Sequence, residues 1–227
     1  MEKYNVEDIN KELKGWDGGD YYGQWQTDKI IEGYFEEGYS GICIEVGAAN
    51  GVKGSNTFYF EKKGWRTLCI EPNPKYKEEI EKYRKLVRYF ACGAESKEVE
   101  MTIFEVGEKN IMSSLSSISP DERLVNDHIN IINNRYKINV QQLTLNQILE
   151  NEVTNTEFEK IKYFDFISID TEGTEIEVLK GIDFNKYQIK LLVVENNYND
   201  DTIESYLESF GYYKDKRYKI NDFYLKK

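Results

Sequence analysis

Cys43-Ile-Glu-Val-Gly-Ala-Ala-Asn-Gly51 reads as an apolar strand with an acidic residue near its tip, running directly into a turn that holds two glycines. A second apolar strand, Thr67-Leu-Cys-Ile-Glu71, ends on a carboxylate and meets Pro72-Asn73-Pro74 at once. In an α/β sheet this pair of features holds an adenosyl group. Glycines let the ligand approach the backbone, and the carboxylate closing the second strand accepts hydrogen bonds from ribose hydroxyls. The glycines are spaced Gly-x-x-x-Gly, not Gly-x-Gly-x-x-Gly, so the pyrophosphate fingerprint is missing. A ligand with an adenosine but no phosphates fits better, and S-adenosylmethionine is the obvious candidate.

Working outward, strand and helix patterns alternate. The first strand, about 41–47, is almost continuously apolar, as a parallel strand covered on both faces should be. Ser55 can cap a helix that Gly64 stops, and Asn73 caps another with Pro74 in its first turn. Tyr76, Ile80 and Tyr83 give that second helix a buried side. A third strand is expected over 87–92, an additional alternating one over 99–105, and another over 138–143 ahead of a short helix at 145–149. Residues 106–122 are polar and serine-rich, a length of loop that is usually functional or disordered.

Further strands are expected at 164–170 and 189–195. Between them Thr174-Glu-Ile-Glu177 matches a capping box and Gly181 ends the helix. A helix over 201–210 and an antiparallel pair at 212–218 and 223–225 close the chain. Before the first strand, a helix over 28–37 is expected and residues 4–14 carry weak helical periodicity. Alternation of this kind gives an α/β sandwich with a mainly parallel sheet.

The chain has 227 residues and a formal net charge of −11. That size suits one domain with a core, and the charge argues against a nucleic-acid groove or an anionic membrane surface as partner. Met1-Glu-Lys-Tyr-Asn5 starts no apolar signal core, and no run approaches membrane-spanning length. Cys43, Cys69 and Cys92 sit in or at the end of strand patterns with no Cys-x-x-Cys pair. Buried, reduced thiols and a cytoplasmic location are the expectation.

Four strands deliver acidic residues toward the edge where α/β sheets bind ligands: Glu45, Glu71, Asp170 and Glu195. Any one could be a solvated strand end, but four converging on one edge favour a site. Glu71 is placed for the ribose, whereas Glu45 lies earlier in its strand and more naturally orders the glycine loop. Phe166-Ile-Ser-Ile-Asp170-Thr-Glu172-Gly173 puts two carboxylates at i and i+2, which share a face in extended geometry. They suit substrate binding, proton acceptance or metal ligation, or could cap the neighbouring helix. The sole histidine, His128, reads as a surface or helix-packing residue, with general base as the alternative. No His/Cys cluster has zinc spacing. The reading assigns no metal, its alternative being a Mg²⁺ on Asp170, Glu195 and Asn196.

The whole pattern resembles the FkbM-type family of S-adenosylmethionine-dependent methyltransferases. The matching segments are Gln24-Trp-Gln-Thr-Asp28, Glu45-Val-Gly-Ala-Ala-Asn-Gly51, Ser55-Asn-Thr57, Gly64-Trp65, Cys69-Ile-Glu-Pro-Asn-Pro74, Asp165-Phe-Ile-Ser-Ile-Asp-Thr-Glu-Gly-Thr-Glu175, Val178-Leu-Lys-Gly181 and Val194-Glu195. The resemblance implies a class I, Rossmann-like three-layer sandwich: a mainly parallel seven-stranded sheet with a reversed C-terminal hairpin. It also implies methyl transfer to oxygen, often of a sugar or polyketide hydroxyl. Residues 1–38 would be a helical extension packed on a methyltransferase domain at 39–227.

Carried over position by position, Glu45, Gly47, Gly51, Asn56 and Glu71 line the cofactor site, and Ser113-Ser114-Leu115 looks like a serine pair beside it. The full expected cofactor set is Glu45, Gly47, Ala48, Gly51, Asn56, Glu71, Pro72, Cys92, Ser114 and Asp170. Asp170 and Glu172 face the reacting centre as catalytic residues. The acceptor is expected to be a glycan or other small polyhydroxylated molecule. The rivals are a nicotinamide-dependent oxidoreductase and a catalytically silent adenosyl-binding scaffold.

Overall fold

A computed structural model describes residues 15, 19–106, 116–120, 122–128, 130 and 132–227. Among the described residues, ten strands form two sheets. Seven of them, β1 (Ile42–Val46), β2 (Arg66–Ile70), β3 (Val87–Arg88), β7 (Tyr163–Ile169), β8 (Gln188–Glu195), β9 (Tyr212–Tyr218) and β10 (Asn221–Lys226), lie in the order β3-β2-β1-β7-β8-β10-β9. The first five run parallel, and β10 pairs antiparallel with both β8 and β9. This is the mainly parallel sheet with a reversed final hairpin that the alternation implied. The chain passes from β1 to β2 on one side and returns to β7 on the other, so the sheet order reverses at β1.

Burial explains the apolar runs. All of β1 is buried, with Ile42, Ile44 and Val46 entering one core layer and Cys43 the other. Leu192 and Val194 of β8 face the first layer, while Leu191 and Val193 face the second. The second layer is aromatic: Phe60 lies 4.9 Å from both Trp65 and Phe166, between ring centroids. The described part of the N-terminal extension joins it through a short helix, Thr27–Glu32, whose Ile31 is fully buried. Buried Asp28 anchors this segment by accepting the Tyr22 N–H at 2.6 Å. The periodicity at 4–14 lies outside the described residues. All three cysteines are free and buried, as expected.

Several local expectations are corrected. The single strand at 87–92 is two: β3 ends at Arg88, and β4 (Ala91–Cys92) leaves for a second sheet ordered β4-β6-β5. There β5 (Lys97–Val106) pairs antiparallel with β6 (Ile132–Leu143), twice the length expected at 138–143. The extra length is polar and held across the strands by side chains, with Asn139 donating to Glu98 at 3.0 Å and an ion pair between Lys137 and Glu100. The capping box at Thr174 does not form, since Thr174 makes no side-chain cap. Glu175 does the pinning instead, accepting the Thr171 and Gly173 amides at 2.9 and 3.0 Å. Among the described residues no helix is long and apolar enough to cross a membrane.

Candidate functional site

The parallel strands end at a cavity of about 530 Å³. Its floor begins at the β1 turn. Gly47 has φ +86°, and a Cβ there would stand 1.7 Å from the Asp170 carbonyl oxygen, so only glycine fits between β1 and β7. The Gly47 and Ala48 amides both donate to the Ile70 carbonyl at 3.0 and 3.2 Å, which ties the turn to β2. Gly51 is a correction: it also has positive φ, +77°, but it does not line the cavity. A Cβ on it would meet Arg84 and Ile80 at 2.7 Å, so it serves the turn's packing.

Glu45 orders the loop that follows, as its position in the strand suggested. One oxygen accepts the Asn56 amide and the other accepts the Ser55 and Thr57 hydroxyls, all at 2.7 Å. Arg84 completes this layer from beneath, with Nε 2.7 Å from Glu61, Nη1 2.8 Å from the Gly51 carbonyl and Nη1 3.4 Å from Glu45. The sequence shows Arg84 only as a helix end. Its partners lie 23 and 39 positions away, and nothing in the local pattern announces them.

Glu71 lines the cavity and joins two turns. Its oxygens accept the Ala49 and Asn73 amides, each at 2.7 Å. Burial pushes its carboxyl up to about 7 in spite of those two donors. Each carboxylate oxygen keeps a further acceptor position, so the site can still take ribose hydroxyls. Asn73 caps the following turn through Lys75, as expected. Asn56 donates to the Ser168 hydroxyl at 3.0 Å, while its own Oδ1 is buried without a hydrogen-bond partner. The glycine cradle and the acceptor at Glu71 fit an adenosyl ligand.

Ala48, Pro72 and Cys92 also line the cavity, Cys92 as a thiol that burial raises to about 12. Ser114 lies outside the described residues, but Ser116 and Ser117 stand in the wall. Sequence reading missed this pair, as it missed Ser168 and Trp25, which the cavity also uses. His128, expected on the surface or in helix packing, belongs to the cavity wall.

Beside the glycine turn, Asp170 at the end of β7, Glu172 in the following loop and Glu195 at the end of β8 bring their carboxylates together. One oxygen of each lies within 4.8 Å of the others. The sequence argument had Asp170 and Glu172 sharing a face through extended backbone. Instead Glu172 has φ +57° and the left-handed turn folds its carboxylate back beside Asp170. Burial, and then repulsion from neighbouring acids, raises all three above the usual carboxylate range. For Asp170 the second cause is Glu175, and for Glu172 and Glu195 it is Asp170. Asn196 is not a fourth member: Nδ2 donates to the Asp200 carbonyl and to Asp222, and Oδ1 accepts the Asp200 amide.

The described cavity therefore joins a glycine-edged part, with the Glu71 acceptor, to a carboxylate part. Residues 45–214 match the methyltransferase FkbM domain. No curated protein matches the chain. Among solved structures, a precorrin-6y C5,15-methyltransferase from Geobacter metallireducens is similar at 11% identity and a TM-score of 0.43, with all of both chains covered. A putative RNA methyltransferase from Pyrococcus horikoshii is similar at 8% identity and a TM-score of 0.43, with all of this chain and 98% of the other covered.

Proposed function

Since the chain belongs to the FkbM methyltransferase family, we propose that it moves the methyl group of S-adenosylmethionine to a hydroxyl of a sugar, glycan or related small polyhydroxylated acceptor. The observation that carries this reading is one cavity bearing both the Gly47–Glu71 edge and the Asp170, Glu172 and Glu195 carboxylates. S-adenosylmethionine, when bound, supplies an electrophilic methyl group. Gly47 and Ala48 would let the backbone approach it, and Glu71 would accept from the ribose.

The acceptor hydroxyl is a poor nucleophile while protonated. Asp170 or Glu172 takes that proton, a contribution typically worth about 10²–10⁴-fold. Burial raises both carboxyls, and Asp170, pushed up to about 7, is basic enough to take a proton while still partly ionised near neutral pH. Walls that held the two reactants in line would supply alignment, which reaches effective molarities of about 10⁵–10⁸ M.

Calorimetry with S-adenosylhomocysteine and NAD, followed by methyl-transfer assays on a panel of sugars and glycans, tests the reading. S-adenosylhomocysteine should bind and NAD should not, and product should carry the methyl on oxygen. Binding of NAD alone would support the oxidoreductase rival. Cofactor binding with no transfer to any acceptor, including amines and carbon acids, would support the scaffold.

A further inference from the structure

Buried carboxylates in this protein have donors. Glu45, Glu61, Glu71, Asp165, Glu175 and Asp222 each accept hydrogen bonds from amides, hydroxyls or an arginine. Glu195 does not conform. It is 5% exposed, and its Oε2 is buried without a hydrogen-bond partner. Among the described residues no amide, lysine or arginine is paired with it, nor with Asp170 or Glu172. Asp170 and Glu195 hydrogen-bond to each other, but the three carboxylate oxygens, within 4.8 Å of one another at the wall of a cavity open to solvent, have no counter-charge paired with them among the described residues.

We propose that Asp170, Glu172 and Glu195 bind one hard divalent cation of the Mg²⁺ or Mn²⁺ type. The donor set is all oxygen, which selects such ions over zinc or copper. Three protein oxygens fill half of an octahedral shell, and the cavity leaves the remaining positions to water or to hydroxyls of the acceptor. Magnesium characteristically keeps several such exchangeable positions. Asn196 takes no part because its amide is fully engaged elsewhere. Placed at the carboxylate half of the cavity, the ion would hold a vicinal or otherwise chelating hydroxyl of the acceptor. In that respect the inference rests on the methyl-transfer reading, but the ion site itself does not.

The test is a Mn²⁺ titration of the full chain, stripped with chelator, followed by loss of the free-ion electron paramagnetic resonance signal. We expect one tight Mn²⁺ per chain, displaced by Mg²⁺. Binding should weaken at least tenfold in Glu195→Gln and in Glu172→Gln, with circular dichroism confirming that each is folded. Glu98→Gln, on the β5 surface, should bind as the native chain does. Absence of a tight site in the folded native chain, or a site indifferent to both cavity variants, overturns the proposal. Calorimetry with S-adenosylhomocysteine in EDTA is run in parallel. Nucleoside binding without Mn²⁺ binding rejects the ion site alone, and Mn²⁺ binding without nucleoside binding rejects the adenosyl reading alone.

Discussion

Replacing Glu71 by alanine perturbs ligand binding and pH-dependent stability together. In the native chain the carboxylate accepts two backbone amides, from Ala49 and Asn73, at 2.7 Å each. Removing it strands both, at roughly 1–3 kcal/mol for each buried donor left unsatisfied. An opposing effect depends on pH. Burial raises the carboxyl from an ordinary 4.5 to about 7, so the folded chain holds this proton where the unfolded chain has released it. That contribution to stability is fully present below about pH 4.5 and is lost as pH rises to about 7, a drop of roughly 3 kcal/mol. Urea unfolding between pH 4.5 and 8 should show native stability falling across this window, with Glu71→Ala removing about that much of the fall. The variant's deficit is therefore larger at pH 5 than at pH 8. Calorimetry at pH 8, where Glu71 is ionised, should also show at least a tenfold loss of S-adenosylhomocysteine affinity, since hydrogen bonds to a charged acceptor are worth about 1.5–3 kcal/mol. A 2′,3′-dideoxy analogue should bind native and variant chains alike. A folded variant with unchanged S-adenosylhomocysteine affinity would refute the ribose assignment.

Gly47→Val should abolish nucleoside binding and destabilise the sheet edge, because its Cβ falls 1.7 Å from the Asp170 carbonyl at a φ of +86°. Normal S-adenosylhomocysteine binding in this variant would show that the glycine is only a turn residue. Glu172→Gln should keep cofactor binding and lose about a hundredfold in turnover on a verified acceptor, whereas Asp170→Asn should impair both. Near-normal turnover in the two variants would remove this pair from the chemistry and direct attention to His128. Arg84→Met leaves Glu45 and Glu61 buried without their cation and should cost about 3–5 kcal/mol in urea unfolding, with a loss below about 1 kcal/mol contradicting that view.

How much was legible in the chain depended on whether the determinant was local. β1, β2, β7 and β8 announce themselves because strands buried on both faces must be apolar throughout. Asn73 and Pro74 are equally plain, since a cap and a first-turn proline act within three residues. Glu45, Glu71, Asp170 and Glu195 could be gathered at one edge because parallel strands end together. The break between β3 and β4 was hidden, as Tyr89-Phe90 continue the apolar run while the backbone changes sheet. Half of β6 was hidden for the opposite reason: its polar residues are satisfied by β5, a partner some forty positions away. The same holds for Arg84. Glu172 shows another limit, since a non-glycine residue with positive φ leaves no compositional trace. Thr174 and Glu177 had the right spacing for a box, but Glu175 took the loop amides first.

The departure of the chain from the main sheet after Arg88 separates what can vary from what cannot. The described residues between there and Leu143 build the second sheet, and Cys92 and Met101 bring its inner surface to the cavity before Leu145, Ile148, Leu149 and Val153 rejoin the main core. The strands that carry Gly47, Glu71, Asp170 and Glu195 pair among themselves and take no register from that second sheet. Descendants of such a chain can lengthen, shorten or rewrite the β5–β6 ribbon and so reshape one wall of the cavity, while the nucleoside edge stays in place. Exchanging 89–143 between relatives tests whether that wall sets ligand choice, because this span adds no strand to the main sheet and stops short of the core residues that begin at Leu145.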